Sequence, residues 1–384
     1  PQAQAGLDAA RTVRLCPTEK GSAVQSIYWV LTWACHRRCK HCYDDRFRPY
    51  VRDALSEVVG EGVAAYQAVI DNLPDRLVWT DETGVERRTT LILAGGELLI
   101  PGVREELFYP AMRALKARYG DAMPMTAIQT AGDVLTPEIL DDCLELGIES
   151  ISVASIDDYH VGMSGDRKFD FMKRMRAMMA ERGVREVGLG GSMDPRLDMP
   201  EDLRPPRDGE PTFLFFGAQP DLWIGELWPR GRAFANGLSD AAWETNFCAR
   251  WSGGLNFLKL GEAGSEVSIE PNGNVYPCCL KTRAPIGNLT EETLADMYAS
   301  VAQLPAIRAI NDGVPERMGL DQGWSEDRFR QMSAKADGKG RIVENRCLGC
   351  DAYFDAHLTA ELAALREARL AGRAGATGSV RLSV

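Results

Sequence analysis

Ser26-Ile27-Tyr28-Trp29-Val30-Leu31-Thr32-Trp33-Ala34-Cys35-His36-Arg37-Arg38-Cys39-Lys40-His41-Cys42-Tyr43 is the stretch from which the fold is read. Ser26–Trp33 is dominated by aromatic and branched residues and reads as a buried strand. It runs directly into three cysteines spaced C-x3-C-x2-C. A loop at the C-terminal end of a strand is where α/β proteins place their chemistry. Three thiolates leave tetrahedral structural zinc one ligand short, whereas a 4Fe-4S cluster held by three thiolates keeps coordination positions open on one iron. A small molecule can bind there. The competing reading is a zinc site completed by His36 or His41, in a basic stretch suited to nucleic acid.

Working outward, short β-rich runs alternate with amphipathic stretches from about Ser26 to Ser192, the signature of parallel βα units. Further strands are expected at Thr90–Ala94, Thr126–Thr130, Ser150–Ala154 and Glu186–Gly190. Helices are expected at about Asp53–Asn72, Val103–Ala117, Pro137–Leu146 and Lys168–Arg182. The third helix has the clearest signals, with Thr136 as N-cap, Pro137 in the first turn and Gly147 as the stop. Cys143 lies on its apolar face as a core thiol. Asp194–Pro211 carries five prolines and reads as a long surface loop before a strand near Thr212–Phe216. One direction of winding favours a partial or full barrel over a doubly wound sheet. The expected class is α/β, a partial (β/α)6 TIM-type barrel over 26–220 behind an N-terminal extension, 1–25.

The remainder, 221–384, reads as a smaller domain. Pro271-Asn272-Gly273 between Val267–Glu270 and Asn274–Tyr276 signals a β-hairpin. Asn311–Asn345 is polar and Gly-rich, expected as a mobile lid or partly disordered segment. Asp351–Arg373 returns to helix, and no internal repeat is evident.

The chain of 384 residues has 44 Lys+Arg against 55 Asp+Glu, a net charge of −11. Such a chain is a poor general binder of nucleic acid or anionic membrane, and its apolar runs are too short to span a bilayer. It lacks a signal-peptide core, so a cytoplasmic, reducing location is expected. There, clustered cysteines are metal or redox groups rather than disulfides. Ten cysteines are present. A second set, Cys248, Cys278, Cys279, Cys347 and Cys350, lies beyond residue 220, and four thiolates from remote segments suit zinc or a fully ligated iron–sulfur cluster. Spacing alone does not choose the metal.

At these residues the chain resembles the radical SAM superfamily, whose signature is C-x3-C-x-aromatic-C after the first strand of a partial barrel. Cys35, Cys39 and Cys42 match it, and His41 stands where the aromatic residue does. The resemblance implies that these three thiolates hold a 4Fe-4S cluster that binds S-adenosyl-L-methionine, with His41 and Tyr43 offering rings to adenine. It implies that Gly95-Gly96-Glu97 receives the methionyl amino group, and that Thr130, Ser155 and Gly190 touch the cofactor. Gly273-x4-Cys278, Ile286-Gly287-Asn288-Leu289 and Cys347-x2-Cys350 resemble the SPASM/twitch subgroup, in the shorter form with one auxiliary 4Fe-4S cluster. The implied ligands are Cys248, Cys278, Cys347 and Cys350, with Cys279 as an alternative to Cys248.

The resemblance further implies a 5'-deoxyadenosyl radical that takes a hydrogen atom from substrate, a flavodoxin- or ferredoxin-type electron donor, and an auxiliary cluster that accepts an electron in a net two-electron oxidation. Candidate bases are Asp157, Asp158, Tyr159 and His160, with Glu226, Arg230 and Arg232 near Trp228. Only 34 residues precede Cys35, which favours a small polar metabolite, of aminocyclitol or sugar type, over a peptide recognised through a leader-binding domain. A peptide- or protein-modifying maturase is the alternative enzyme, and a zinc-binding, nucleic-acid-interacting protein is the alternative that is not an enzyme.

Overall fold

Seven consecutive buried residues form the first strand, β1 (Ser26–Thr32), and their side chains alternate between two cores. In the computed structural model, which describes residues 24–80, 84–187, 204, 206–207, 209–217, 227–248, 266–301 and 304–379, this strand is internal to one sheet. The other strands are β2 (Thr90–Gly95), β3 (Met125–Thr130), β4 (Ser150–Val153), β5 (Arg185–Glu186), β6 (Thr212–Phe215), β7 (Glu266–Ile269), β8 (Asn274–Tyr276) and β9 (Gly287–Asn288).

The sheet runs β9-β8-β7-β1-β2-β3-β4-β6-β5. All pairings from β7 to β5 are parallel, and β7, β8 and β9 join antiparallel. This is the α/β partial-barrel class expected, with two differences in detail. The strand expected at Glu186–Gly190 is two residues, Arg185–Glu186, and residues 188 onward in it lie outside the described residues. The sixth strand inserts between the fourth and fifth. The reason is burial: Thr212–Phe215 is buried throughout and takes an interior position, while the polar Arg185–Glu186 pair is half-buried and tolerates the edge.

Ile27, Trp29 and Leu31, with Leu91, Leu93 and Ile128, face the core beneath the helices. These helices are α1 (Asp53–Asp71), α2 (Tyr109–Tyr119), α3 (Pro137–Glu145) and α4 (Arg167–Glu181). The Thr136 hydroxyl accepts from Ile139 N at 3.3 Å and caps α3, and Cys143 is fully buried on its inner face. The alternate residues Tyr28, Val30, Ile92, Ala94 and Ala127 face the opposite, concave side, together with Trp33, Phe47, Trp228, Cys278, Cys279 and Cys347. Small alanines on this side leave room above the sheet.

The Pro271–Gly273 hairpin forms as expected: Gly273 adopts φ +84°, its N–H donates to Glu270 O at 2.9 Å, and Val275 pairs with Ile269. Because β7 pairs with β1, the sheet continues across residue 220. A short hairpin, Val78–Thr80 with Glu86–Arg88, stands apart from this sheet.

Asn311–Asn345 departs from expectation. It is ordered into a helix, Glu326–Met332, and a hairpin, Ala334–Ala336 with Ile342–Glu344. Buried Met318, Trp324 and Phe329 anchor the polar stretch, and the Ser325 hydroxyl caps its helix by accepting from Arg328 N at 3.2 Å. Three large apolar side chains offset the ordering entropy that overall polarity seemed to leave unmet.

Candidate active site and metal centres

Between β1 and α1 the Cys35–Phe47 loop folds over the ends of β1 and β2. Its three thiols lie within electrostatic reach of one another, with backbone N–H groups aimed at each sulfur: Arg37 N at Cys35 Sγ (3.4 Å), Val161 N at Cys39 and Asp44 N at Cys42. The pairing of β1 with β2 shifts register between Val30 and Thr32, where the strand gives way to this loop. Gly96 permits the approach. A Cβ there would sit 2.1 Å from Ala34 O and 2.8 Å from Cys35 Cβ. Its own N–H donates to Thr32 O at 3.0 Å, and Glu97 N donates to Ala34 O at 2.9 Å.

Glu97 is buried, and its carboxylate already joins β2 to β3. Oε1 accepts from Thr130 Oγ1 at 2.9 Å and Leu99 N at 3.2 Å, and Oε2 accepts from Ala131 N at 2.8 Å. Ser155 Oγ donates to Ala131 O at 2.8 Å. These two expected cofactor contacts therefore brace the strand ends, while Gly95, Gly96 and Thr130 line a cavity of about 180 Å³.

The same cavity is lined by Cys35, Cys39, Cys42, His41, Tyr43, Asp157, His160 and Arg232. Asp157 is fully buried at the end of β4. Its Oδ1 accepts from Tyr159 N and His160 N, each at 2.8 Å, and its carboxylate holds His160 Nδ1 at 2.9 Å. His41 stacks edge-on to His160 (4.5 Å between centroids), with Nε2 4.0 Å from Asp157 Oδ2. Burial pushes the His41 pKa down to about 4, so its ring is neutral near pH 7. Tyr159 packs on His41 at 5.4 Å, and exposed Asp158 pairs with Lys168 at 2.8 Å, outside the cavity lining.

Arg232, one of the candidates near Trp228, lines the cavity and turns its guanidinium to the backbone. Its Nε, Nη1 and Nη2 donate to the carbonyl oxygens of Cys39 (2.8 Å), Asp45 (2.9 Å) and Phe47 (2.7 Å), and its backbone N donates to Cys42 O at 2.8 Å. It is a clamp on the cysteine loop. Gly231, at φ +52°, is pressed against Tyr43, where a Cβ would lie 2.4 Å from the carbonyl. Trp228 meets the Tyr43 ring edge-on at 4.9 Å. The Tyr43 hydroxyl is 3.3 Å from that of Tyr28, which donates to Gln129 Oε1 at 3.0 Å. Tyr28 was not expected at the site; a polar-tipped aromatic on the inward register of β1 was the available signal.

The second cysteine set converges as well. Cys248, Cys278, Cys347 and Cys350 each lie within electrostatic reach of the other three. Cys347 and Cys350 share one face of the helix Arg346–Tyr353. Asn345 caps that helix by accepting from Cys347 N at 3.0 Å, and its Nδ2 donates to Ala242 O and Thr245 O, tying the helix to the segment that carries Cys248. Cys279 turns elsewhere: its N–H donates to Glu266 Oε1 at 2.9 Å, and its thiol pairs with the same buried carboxyl.

The donor sets fit iron–sulfur centres. Burial pushes the Cys35, Cys278 and Cys347 thiols up to about 12 and Cys42 to about 11, so they retain their protons unless a metal cation displaces them. Tetrahedral zinc with ~2.3 Å bonds would draw sulfurs to ~3.8 Å of one another. Among the described residues no trio of cysteine sulfurs is gathered within 4.8 Å. Neither set is drawn together as one tetrahedral ion would need, and each supplies the thiolates that an iron–sulfur cube takes. Glu226, Gly190 and Cys16 lie outside the described residues.

Residues 262–316 match the SPASM family, an iron-sulfur cluster-binding domain. With the three-cysteine loop after β1, this makes the chain similar to radical SAM enzymes of the SPASM/twitch subgroup, whose cofactors are 4Fe-4S clusters and S-adenosyl-L-methionine. A curated relative, AdoMet-dependent heme synthase of Methanosarcina barkeri (strain Fusaro / DSM 804), is 28% identical over 184 residues, 43% of this chain and 46% of that protein. The chain thus spans about half the length of the curated relative it matches. Similar solved structures include BtrN in complex with AdoMet and 2-DOIA (15% identity, 79% of this chain and 90% of that one, TM-score 0.40). Another is anSMEcpe with bound AdoMet (12% identity, 91% and 99%, TM-score 0.40). Among the described residues no helix is long and apolar enough to cross a membrane.

Proposed function

We propose that this protein is a radical SAM oxidoreductase that removes two electrons from a small polar metabolite of aminocyclitol or sugar type. The observation that carries this reading is the Asp157–His160 pair in the cavity that Cys35, Cys39 and Cys42 line. When bound, the cofactors supply a 5'-deoxyadenosyl radical for hydrogen-atom abstraction and an acceptor for the second electron.

What remains is one proton, and His160 is placed to receive it. With Nδ1 held by Asp157, Nε2 is the nitrogen free to take a proton from a substrate hydroxyl or amine, and the carboxylate stabilises the resulting imidazolium. Phe216, Leu227 and Trp228 on the same wall exclude water from the reacting centre. Arg232 holds the cysteine loop against this wall.

The test is anaerobic reconstitution, iron, sulfide and zinc analysis, then incubation with S-adenosyl-L-methionine, a reduced flavodoxin or ferredoxin, and a panel of deuterated aminocyclitols and sugars. Substrate-derived deuterium in 5'-deoxyadenosine and a product lighter by two hydrogens are expected. Stoichiometric zinc without sulfide would overturn the radical reading, and deuterium transfer from peptides alone would replace the metabolite with a peptide substrate.

A further inference from the structure

We propose that Arg230 sets the reduction potential of the second metal centre by holding its guanidinium against Cys278 and Cys347, with Asp351 as the opposing charge. The inference rests on the reading of Cys248, Cys278, Cys347 and Cys350 as cluster ligands.

Arg230 and Arg232 are two positions apart, yet they serve different cysteine sets. Gly231, locked against Tyr43, anchors the run to the first loop, and Arg230 extends from it to the helix carrying Cys347 and Cys350. Arg230 Nη2 donates to Asp351 Oδ1 at 2.8 Å, and Asp351 directly follows Cys350. The Arg230 side chain is only 17% exposed, and its Nε is buried without a hydrogen-bond partner. A buried N–H of this kind is costly to leave unmade, which points to an acceptor at the centre itself.

The charges around the centre are unevenly committed. Arg230 lies within electrostatic reach of Cys278 and Cys347 and favours their ionised forms, whereas Asp351 acts in the opposite sense on Cys347 and Cys350. Arg346 also reaches Cys248 and Cys347, but its Nε is engaged by Glu316 at 3.1 Å and its Nη1 by the Trp243 carbonyl. Glu266, near Cys278, has Oε1 engaged by Cys279 N. Arg230 therefore combines proximity, burial and a spare donor. Adding an electron to a thiolate-ligated centre makes it more negative, so a buried cation stabilises the reduced form and raises the potential, while an anion lowers it. That direction suits a centre that accepts an electron from substrate.

The test uses the full chain with Cys35, Cys39 and Cys42 all changed to Ala, so that iron–sulfur signals come from the second set alone. EPR-monitored redox titration is then compared with the same chain carrying Arg230→Gln, Arg230→Lys or Asp351→Asn. Arg230→Gln is expected to shift the one-electron equilibrium at least tenfold toward the oxidised form, which is about 59 mV lower. Arg230→Lys should recover more than half of that shift, and Asp351→Asn should move the potential the other way. An unchanged or raised potential in Arg230→Gln, with iron and sulfide retained, overturns the role of Arg230. Should the parent chain itself hold no iron and sulfide, the reading of the second cysteine set fails, and the proposal fails with it. Loss of the centre from Arg230→Gln with retention in Arg230→Lys, at an unshifted potential, would make the residue a structural support and also overturn the proposal.

Discussion

Arg232 Nε lies 2.8 Å from the carbonyl oxygen of Cys39, across 193 residues of chain. With two more carbonyls from the same loop, this contact determines how the first cysteine set is held. Arg232→Ala should destabilise the protein by at least about 3 kcal/mol, since a hydrogen bond to a charged group contributes ~1.5–3 kcal/mol. Thermal unfolding and iron content after reconstitution would check this. Normal iron loading at unchanged stability would show that the loop does not depend on the clamp.

A single methyl group at Gly96 should be as damaging. Its Cβ would fall 2.1 Å from Ala34 O, so β2 must move away from the cysteine loop. Overpacking of this kind costs about 1–3 kcal/mol, and Gly96→Ala should lose the absorbance of the first cluster. Gly60→Ala, in α1 with open space around the new atom, is the control; its expected effect is a gain of up to ~1 kcal/mol.

Replacing His160 by Gln, or Asp157 by Asn, should separate two readouts. Product formation is expected to drop ~10²–10⁴-fold, the usual contribution of a positioned acid or base, while 5'-deoxyadenosine formation stays within a few-fold of the parent. Liquid chromatography of both products from one reaction measures the ratio. An equal fall in the two would assign the pair to cofactor binding or folding.

Cys248 and Cys279 can be distinguished by iron analysis. Cys248→Ser should lose up to about four irons per chain, whereas Cys279→Ser, whose thiol pairs with Glu266, should retain them. The reverse pattern would exchange the two ligands.

Much of the barrel was legible in sequence because its strands are short, apolar and separated by turn chemistry. The cysteine loop was legible because metal ligation demands specific residue types at specific spacing. What sequence concealed was the destination of polar side chains. Glu97 carries a carboxylate suited to an ammonium ion, yet it spends three acceptor positions on β2, β3 and their loop. Arg232 spends its donors on backbone carbonyls, and Asn345 joins two ligand segments that lie 100 residues apart. Backbone partners have no signature in residue type. The order β4-β6-β5 was hidden for a related reason, since periodicity identifies strands but not which neighbour each finds.

Pairing of Trp29 with Ile269 and with Leu93 gives β1 a neighbour on either side. The loop carrying Cys35, Cys39 and Cys42 and the hairpin leading to Cys278 consequently follow strands of one hydrogen-bonded sheet. Strand register thus ties Cys278, one of the four ligands assigned to the second centre, to the strand that leads into the first cysteine loop. Deleting the C-terminal half would leave β1 as a bare apolar edge, so aggregation, rather than an isolated working barrel, is the fate expected of such a truncation.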